Sequence, residues 1–532
     1  MRARRELLAA ITAVAAVVLP VALPFPSGAE ADRGTSVPAP RTSDLTASPP
    51  PAGTTATKRH MEQLQKIADA NGGTRASGTP GYDASAAYVA EKLRSAGYQV
   101  TEQNFEFPYF RDITEPVFNR VSPEAKTYTR KVDFRTMTYS GSGNVTAPVE
   151  GVDLVLPPTP RSSSTSGCEE SDFAGFTRGN IALIQRGACS FQIKAELAQA
   201  AGASGVIFFN EGQPDRIPDD RVGLLSGTLG APTTRIPVVG TTFGVGEELS
   251  AAGTTVTLTT NTEGDPHRKT RNVLAESRWG DPNKVVMIGA HLDSVVDGPG
   301  INDNGSGTAG VLETALTTSG TQTTNRLRFA FWGAEELGLL GSKHYVGALT
   351  PTEQDKIKMY LNFDMIASPN HFLGIYDGDN SDAVGASAGP PGSDKIEKFF
   401  EDHFARSDLP YLGTDFTGRS DYGPFIGVGI PSGGLFTGAE GIKTPSEAAA
   451  FGGRAGVAYD ECYHKACDTI ANLNDRALEA NASAITAAAL AYGRSAHLPG
   501  GNTTVTSAPV VSKRGGAAVK HGPDNDHTDV PR

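Results

Sequence analysis

Residues 285–307 read VVMIGAHLDSVVDGPGINDNGSG, and this stretch decides the fold. Val285–Ala290 is an unbroken apolar run, which predicts a strand buried on both faces. His291 and Asp293 follow at once, then a glycine-rich loop carrying Asp303, then a predicted helix over Thr308–Thr318. The pattern recurs downstream. Leu327–Trp332 (LRFAFW) predicts a strand and precedes Gly333-Ala334-Glu335-Glu336; Met359–Phe363 (MYLNF) predicts another and precedes Asp364. Helices are expected at Lys343–Leu349, Ile396–Phe404 and Ala477–Tyr492. Strands alternating with helices argue for an α/β sandwich, a mixed, largely parallel sheet covered by helices. Ligands gather beyond the carboxyl ends of such strands. His291, Glu335, Glu336 and Asp364 are therefore expected along one edge.

Upstream, His60–Ala68 and Tyr82–Ala96 predict amphipathic helices, and Tyr98–Phe107 alternates like a strand. Residues 140–262 differ in texture. Short strands are expected at Val152–Leu156, Ile181–Ile184, Val206–Phe209, Ile236–Val239 and Val256–Thr259, with one helix at Phe191–Ala201. Arg2, Arg4 and Arg5 before the apolar run Leu7–Leu23, then Ala29-Glu30-Ala31, read as a secretory signal. The expected organisation is a signal peptide at 1–31, a disordered linker or pro-segment at 32–56, a catalytic domain at 57–135 and 265–498, a small β-rich insert at 136–264, and a disordered tail at 499–532. Such a chain is secreted and leaves the membrane once the signal is removed; a monomer is the working expectation.

The 532 residues carry 47 Lys+Arg against 59 Asp+Glu, a net charge of −12, which disfavours nucleic acid as a partner. Four cysteines, Cys168, Cys189, Cys462 and Cys467, suit two disulfides in an exported chain. Three pairings are possible. Local order favours Cys168–Cys189 and Cys462–Cys467, and no CxxC spacing for a thiolate zinc site occurs.

Imidazole and carboxylate together suit divalent first-row metals, zinc above all. A pair of ions needs a bridging carboxylate and further ligands on each side. His291, Asp303, Glu336 and Asp364 with His464, which sits between Cys462 and Cys467, supply that number. Glu335 is then left to act as general base. Any one of these residues alone could be a helix cap, a core histidine or a solvated acidic turn. Ligand-type residues at three separate strand ends make the case.

These segments resemble the M28 family of zinc peptidases, in the branch of secreted bacterial leucyl-type aminopeptidases. The matching stretches are Gly289–Ser294, Gly300–Gly307, Trp332–Ser342, Asn362–Met365 and Cys462–Cys467. Residues 179–207, from Gly179-Asn180-Ile181 through Cys189-Ser190-Phe191 to Gly205-Val206-Ile207, resemble the protease-associated (PA) domain, an accessory module. The resemblance implies two Zn2+ per chain, one held by His291 and Asp364, the other by Glu336 and His464, with Asp303 between them. It implies Glu335 as base, Tyr463 as the hydroxyl that steadies the tetrahedral intermediate, Asp293 as the carboxylate that orients His291, and Arg419 as a substrate-binding residue. The implied reaction is removal of N-terminal residues from peptides or proteins, with large apolar residues such as Leu preferred.

Rival readings carry less. Gly385-Ala386-Ser387-Ala388-Gly389 fits the GxSxG pattern, but polar residues precede it and Pro390-Pro391 follows. Gly305–Gly310 fits GxGxxG but lacks a strand immediately before it. A dizinc carboxypeptidase of the same family and a non-catalytic PA-domain binding protein are the alternatives. The second is disfavoured by the complete ligand set. A glutaminyl cyclase, which uses one zinc, is disfavoured by the intact Asp303.

Overall fold

The computed structural model describes residues 52–161, 164–213, 221–385 and 388–500. The expected signal, residues 32–51 of the expected linker, part of the GxSxG match and the tail beyond 500 lie outside the described residues. No helix among the described residues is long and apolar enough to cross a membrane.

Two eight-stranded sheets organise the described residues. At the centre of the first, Asp281–His291 lies parallel between Asn325–Trp332 and Ile357–Phe363, and Ser432–Phe436 continues the parallel run. Gln99–Asp112 and Thr262–Glu276 pair antiparallel along one margin. Alternate residues of the apolar run face opposite layers. Val286 and Ile288 pack with Met61, Leu64, Ala309, Leu312, Ile485 and Ala488, which come from the helices Ala52–Ala70, Gly305–Thr318 and Asp475–Arg494. Val285 and Met287 pack with Tyr345 and Val346 of the Leu340–Ala348 helix and with Tyr422 and Phe425 of the Tyr422–Gly427 helix. This is the expected α/β sandwich. Burying both faces is what an uninterrupted apolar strand requires.

The second sheet contains the parallel strands Gly143–Val152, Ile181–Gln185, Gly205–Phe209 and Val238–Thr241, with the Phe191–Ala201 helix packed on it. Cys168–Cys189 closes beside it.

Several elements differ from expectation. The strand expected at 152–156 lies at Gly143–Val152, which alternates covered and exposed residues over most of its length, with Val145, Ala147 and Val149 on the covered side. Val155 instead donates its N–H to the Gln185 side chain at 3.0 Å. The strand expected at 236–239 begins after Pro237, which has no N–H to donate. The first helix starts at Ala52, inside the expected linker. Val117–Ser122, Lys126–Thr127 and Phe134–Thr136, all starting upstream of residue 136, join the second sheet. Thr262–Glu276, a strand of 15 residues, was not expected. Its charged, half-exposed sequence hides an alternation that only its pairing with Gln99–Asp112 makes plain.

Candidate metal centre

Four of the predicted residues end or follow a strand that aims them, and two stand in loops held at their ends. His291 closes the Asp281–His291 strand, Glu335 and Glu336 follow Asn325–Trp332, and Asp364 follows Ile357–Phe363. Asp303 precedes the Gly305–Thr318 helix, whose N-cap Asn304 accepts the Gly307 N–H at 2.9 Å. His464 stands in the loop closed by the Cys462–Cys467 disulfide.

These side chains meet. His291 Nε2 lies 3.2 Å from Asp303 Oδ1 and 3.2 Å from Asp364 Oδ1. His464 Nε2 lies 3.2 Å from Asp303 Oδ2 and 3.0 Å from Glu336 Oε2. Two donor sets result, His291–Asp303–Asp364 and Asp303–Glu336–His464, each with its atoms within 4.8 Å of one another. Asp303 gives one oxygen to each set, as a bridge would. Glu335 belongs to neither; its Oε2 stands 3.9 Å from His291 Nε2 and its N–H reaches Asp293 Oδ1 at 3.2 Å. His291 Nδ1 faces the Asp293 backbone oxygen at 3.2 Å and its carboxylate at 3.7 Å, which fixes the ring with Nε2 toward the cluster.

The electrostatics are those of a site built for cations. Burial pushes the Glu335 carboxyl well above its usual range, against the pull of His291, and nearby Asp421 and Asp364 push the same way. Glu336 is raised, by burial first. Burial alone would lower His291 and His464, but their carboxylate neighbours prevail, raising His291 well above its usual value and His464 to about 11. Glu336 Oε1 is buried with no hydrogen-bond donor among the described residues. A buried carboxylate oxygen without a donor is costly unless a cation faces it. Imidazole and carboxylate donors on both sides of one aspartate fit zinc.

A cleft of about 740 Å³ opens beside the cluster, walled by Met365, Phe372, Tyr376, Phe436 and Tyr459. Arg419 lines it, paired to Glu440 at 2.5 Å and donating to the Tyr463 hydroxyl at 3.3 Å. The Tyr463 ring stacks on His464, 3.8 Å between centroids. Burial, then the charges of Asp303 and Glu336, raise the Tyr463 phenol well above its usual value, so it keeps its proton.

Sequence reasoning missed the residues behind the ligands. Ser420 donates to Asp364 Oδ2 at 2.6 Å. Asp468, buried and raised to about 8 chiefly by burial, accepts the N–H groups of Asn302 and Asp303 at 2.8 and 3.0 Å. Arg75, fully buried, donates to the carbonyls of Leu292, Pro299 and Gly300 and so ties together the loops after His291 and before Asp303. A lone arginine between Gly72-Gly73-Thr74 and Ala76-Ser77-Gly78 was the one available signal. Ala334, Met365 and His464 have φ of 53°, 51° and 56°. Non-glycine residues held there cost about 1–3 kcal/mol each and cluster at functional sites. Each of the three is, or adjoins, a predicted ligand or base.

A parallel-sheet edge with overlapping imidazole–carboxylate sets and a glutamate beside them is the build of a metallohydrolase. Comparison with known proteins narrows that class. Residues 272–489 match peptidase family M28, and residues 149–249 match the PA domain. An aminopeptidase of Pseudomonas aeruginosa is 49% identical over 431 residues, covering 80% of this chain and 78% of that protein. A probable leucine aminopeptidase 2 of Aspergillus oryzae is 40% identical over 439 residues, covering 81% and 82%. Among solved structures, an aminopeptidase from Aneurinibacillus sp. strain AM-1 aligns with a TM-score of 0.55 at 26% identity, covering 85% of this chain and 96% of that one. The chain belongs to peptidase family M28. It is an enzyme, a metallopeptidase of the aminopeptidase group in that family, with a PA domain set into it.

Proposed function

We propose that this protein is an exported dizinc aminopeptidase that removes N-terminal residues, large apolar ones such as Leu foremost, and that residues 1–31 are its export signal. The carrying observation is the division of Asp303 between two donor sets. In this reading His291, Asp303 and Asp364 hold one zinc, and Asp303, Glu336 and His464 the other. Zinc so held supplies Lewis acidity to the scissile carbonyl and acidifies the attacking water.

The protein's own groups do the rest. Glu335, beside the cluster but bound to neither set, accepts the proton of the attacking water and returns it to the leaving amine. Tyr463, kept protonated, donates to the oxygen that becomes negative, and Arg419 supports its hydroxyl. The apolar wall of Met365, Phe372, Tyr376 and Phe436 accommodates an aliphatic side chain.

One observation favours an aminopeptidase over a carboxypeptidase. Among the described residues lining the cleft Arg419 is the one Lys or Arg, and Glu440 already pairs with it. A substrate's α-ammonium thus meets carboxylates, whereas an α-carboxylate would have to compete with Glu440. The test is hydrolysis of Leu-p-nitroanilide beside its N-acetyl form, before and after chelation and zinc return. Cleavage of the free amine alone, lost on chelation and restored by zinc, is expected. Equal cleavage of the acetylated form would overturn the reading.

A further inference from the structure

Behind Asp364 runs a chain of four hydrogen bonds. The Trp332 indole N–H donates to the Tyr360 hydroxyl at 2.8 Å, and Tyr360 donates to Asn362 Oδ1 at 3.0 Å. Asn362 Nδ2 donates to Ser420 Oγ at 2.8 Å, and Ser420 donates to Asp364 Oδ2 at 2.6 Å. Trp332 and Tyr360 are 0% exposed, Asn362 1% and Ser420 5%, so water does not compete for these bonds.

The direction of every bond follows from the two ends. An indole N–H only donates, and an ionised carboxylate only accepts. Ser420 has one proton and gives it to Asp364, so it must accept from the Asn362 amide. That turns Asn362 Oδ1 toward Tyr360, which must donate to it and is left to accept from Trp332. No link can reverse without stranding a buried donor, at a cost of about 1–3 kcal/mol.

The backbone makes room for this chain. Trp332 and Tyr360 stand on the two strands that flank Asp281–His291, so their bond has to pass over that central strand. It passes over Gly289. A Cβ there would lie 2.6 Å from Tyr360 Oη and 2.9 Å from Trp332 Nε1, inside contact distance of both. Tyr360 is held from the other side by Phe425, stacked at 4.0 Å.

We propose that Trp332, Tyr360 and Asn362 are positioning residues for Asp364, acting through a one-way hydrogen-bond chain laid across the gap at Gly289. The chain engages Oδ2 and so turns Oδ1, 3.2 Å from His291 Nε2, toward the metal site. Partners behind a metal ligand typically change metal affinity 10–100-fold. Broken three bonds away from Asp364, this chain should cost about tenfold.

The inference rests on the zinc reading, and the experiment separates the two. Zinc affinity of the purified full chain is measured by chelator competition for wild type, Tyr360→Phe and Gly289→Ala. Tyr345→Phe is the control: its hydroxyl lies in the same aromatic cluster but bonds to Arg328 at 2.5 Å, outside the chain. Tyr360→Phe should weaken zinc about tenfold and also lower Tm, because it strands the buried Trp332 N–H; Gly289→Ala should weaken zinc in the same direction, and Tyr345→Phe should leave zinc affinity within about twofold of wild type. In a Ser420→Ala background, Tyr360→Phe should have no further effect, because the chain is already cut. Should Gly289→Ala not fold, Tyr360→Phe decides alone. Equal zinc affinity in Tyr360→Phe and Tyr345→Phe, or full additivity with Ser420→Ala, overturns the inference while leaving the zinc reading intact. A wild-type chain that binds no zinc overturns both.

Discussion

Glu335 and Glu336 are neighbours in sequence, yet their surroundings differ, and the proposed mechanism gives them opposite work. Glu336 Oε2 faces His464 Nε2 at 3.0 Å inside a donor set, whereas Glu335 Oε2 stands 3.9 Å from His291 Nε2 and outside both sets. Glu335→Gln keeps the size of the side chain and the backbone N–H bond to Asp293, and removes only the group that accepts a proton. A positioned general base contributes about 10²–10⁴-fold. The variant should therefore lose about 10³-fold in kcat, close to 4 kcal/mol of transition-state stabilisation, with KM within about threefold and zinc content unchanged. Glu336→Gln should instead lose zinc, because an amide replaces a buried anionic ligand. The assay is Leu-p-nitroanilide hydrolysis with zinc measured on the same samples. A Glu335→Gln enzyme that keeps more than about a tenth of wild-type kcat, or that loses zinc as Glu336→Gln does, would refute the division of labour.

Four other outcomes follow from the same geometry. If the proposed pair of zinc ions is right, Asp303→Asn should reduce retention of both together, since both donor sets share that carboxylate, and metal content after dialysis checks it. Replacing Cys462 and Cys467 with serine frees the loop that holds His464 at φ 56°, and zinc affinity should fall about tenfold by chelator competition. Arg75→Met strands three carbonyls, and urea unfolding should show a loss of about 3 kcal/mol. In the metal-free protein, His464 is raised from 6.5 to about 11, so its contribution is whole below the unfolded value and lost as pH climbs toward the folded one. Asp468, raised to about 8, acts in the same direction from its unfolded value upward, so the Tm of the chelated protein should fall as pH rises from about 7 to 10.

The sequence was legible where one residue's environment is set by its own strand. Val285–Ala290 must be buried on both faces, and whatever follows it must emerge at the sheet edge, so His291 could be placed from periodicity alone. The same holds for Glu335 and Asp364. His464 was harder, because no strand aims it; the flanking cysteines were the signal. Illegible were the residues whose role depends on a distant partner. Arg75 gains meaning only against carbonyls more than two hundred positions away. Ser420 matters only because Asp364 folds back onto it, and Gly289 reads as a small residue in a strand until Trp332 and Tyr360 close over it. The strand Thr262–Glu276 failed for a related reason. A sheet margin is stabilised by its neighbour's backbone, and its side chains are free to be charged.

That margin also fixes how the PA domain is carried. Gln99–Asp112 and Thr262–Glu276 pair from Gln99–Glu276 to Asp112–Thr262, so the chain leaves the first sheet and returns to it along one hydrogen-bonded ribbon. Ile113 extends the ladder by donating to Asn261 at 2.6 Å. A domain inserted through two loose linkers could swing about them, but one inserted through a paired ribbon cannot rotate at its root without breaking backbone bonds. Further out, Lys131 reaches Asp297 at 2.5 Å, on the loop between His291 and Asp303, and Arg130 pairs with Asp112 at 2.9 Å. A pair as exposed as Lys131–Asp297 adds little energy. These pairs act instead on register, holding the insert's first hairpin against the loop that carries the shared aspartate. The ribbon supplies the stiffness and the ion pairs supply the address, which suits an insert held in one orientation better than one that swings.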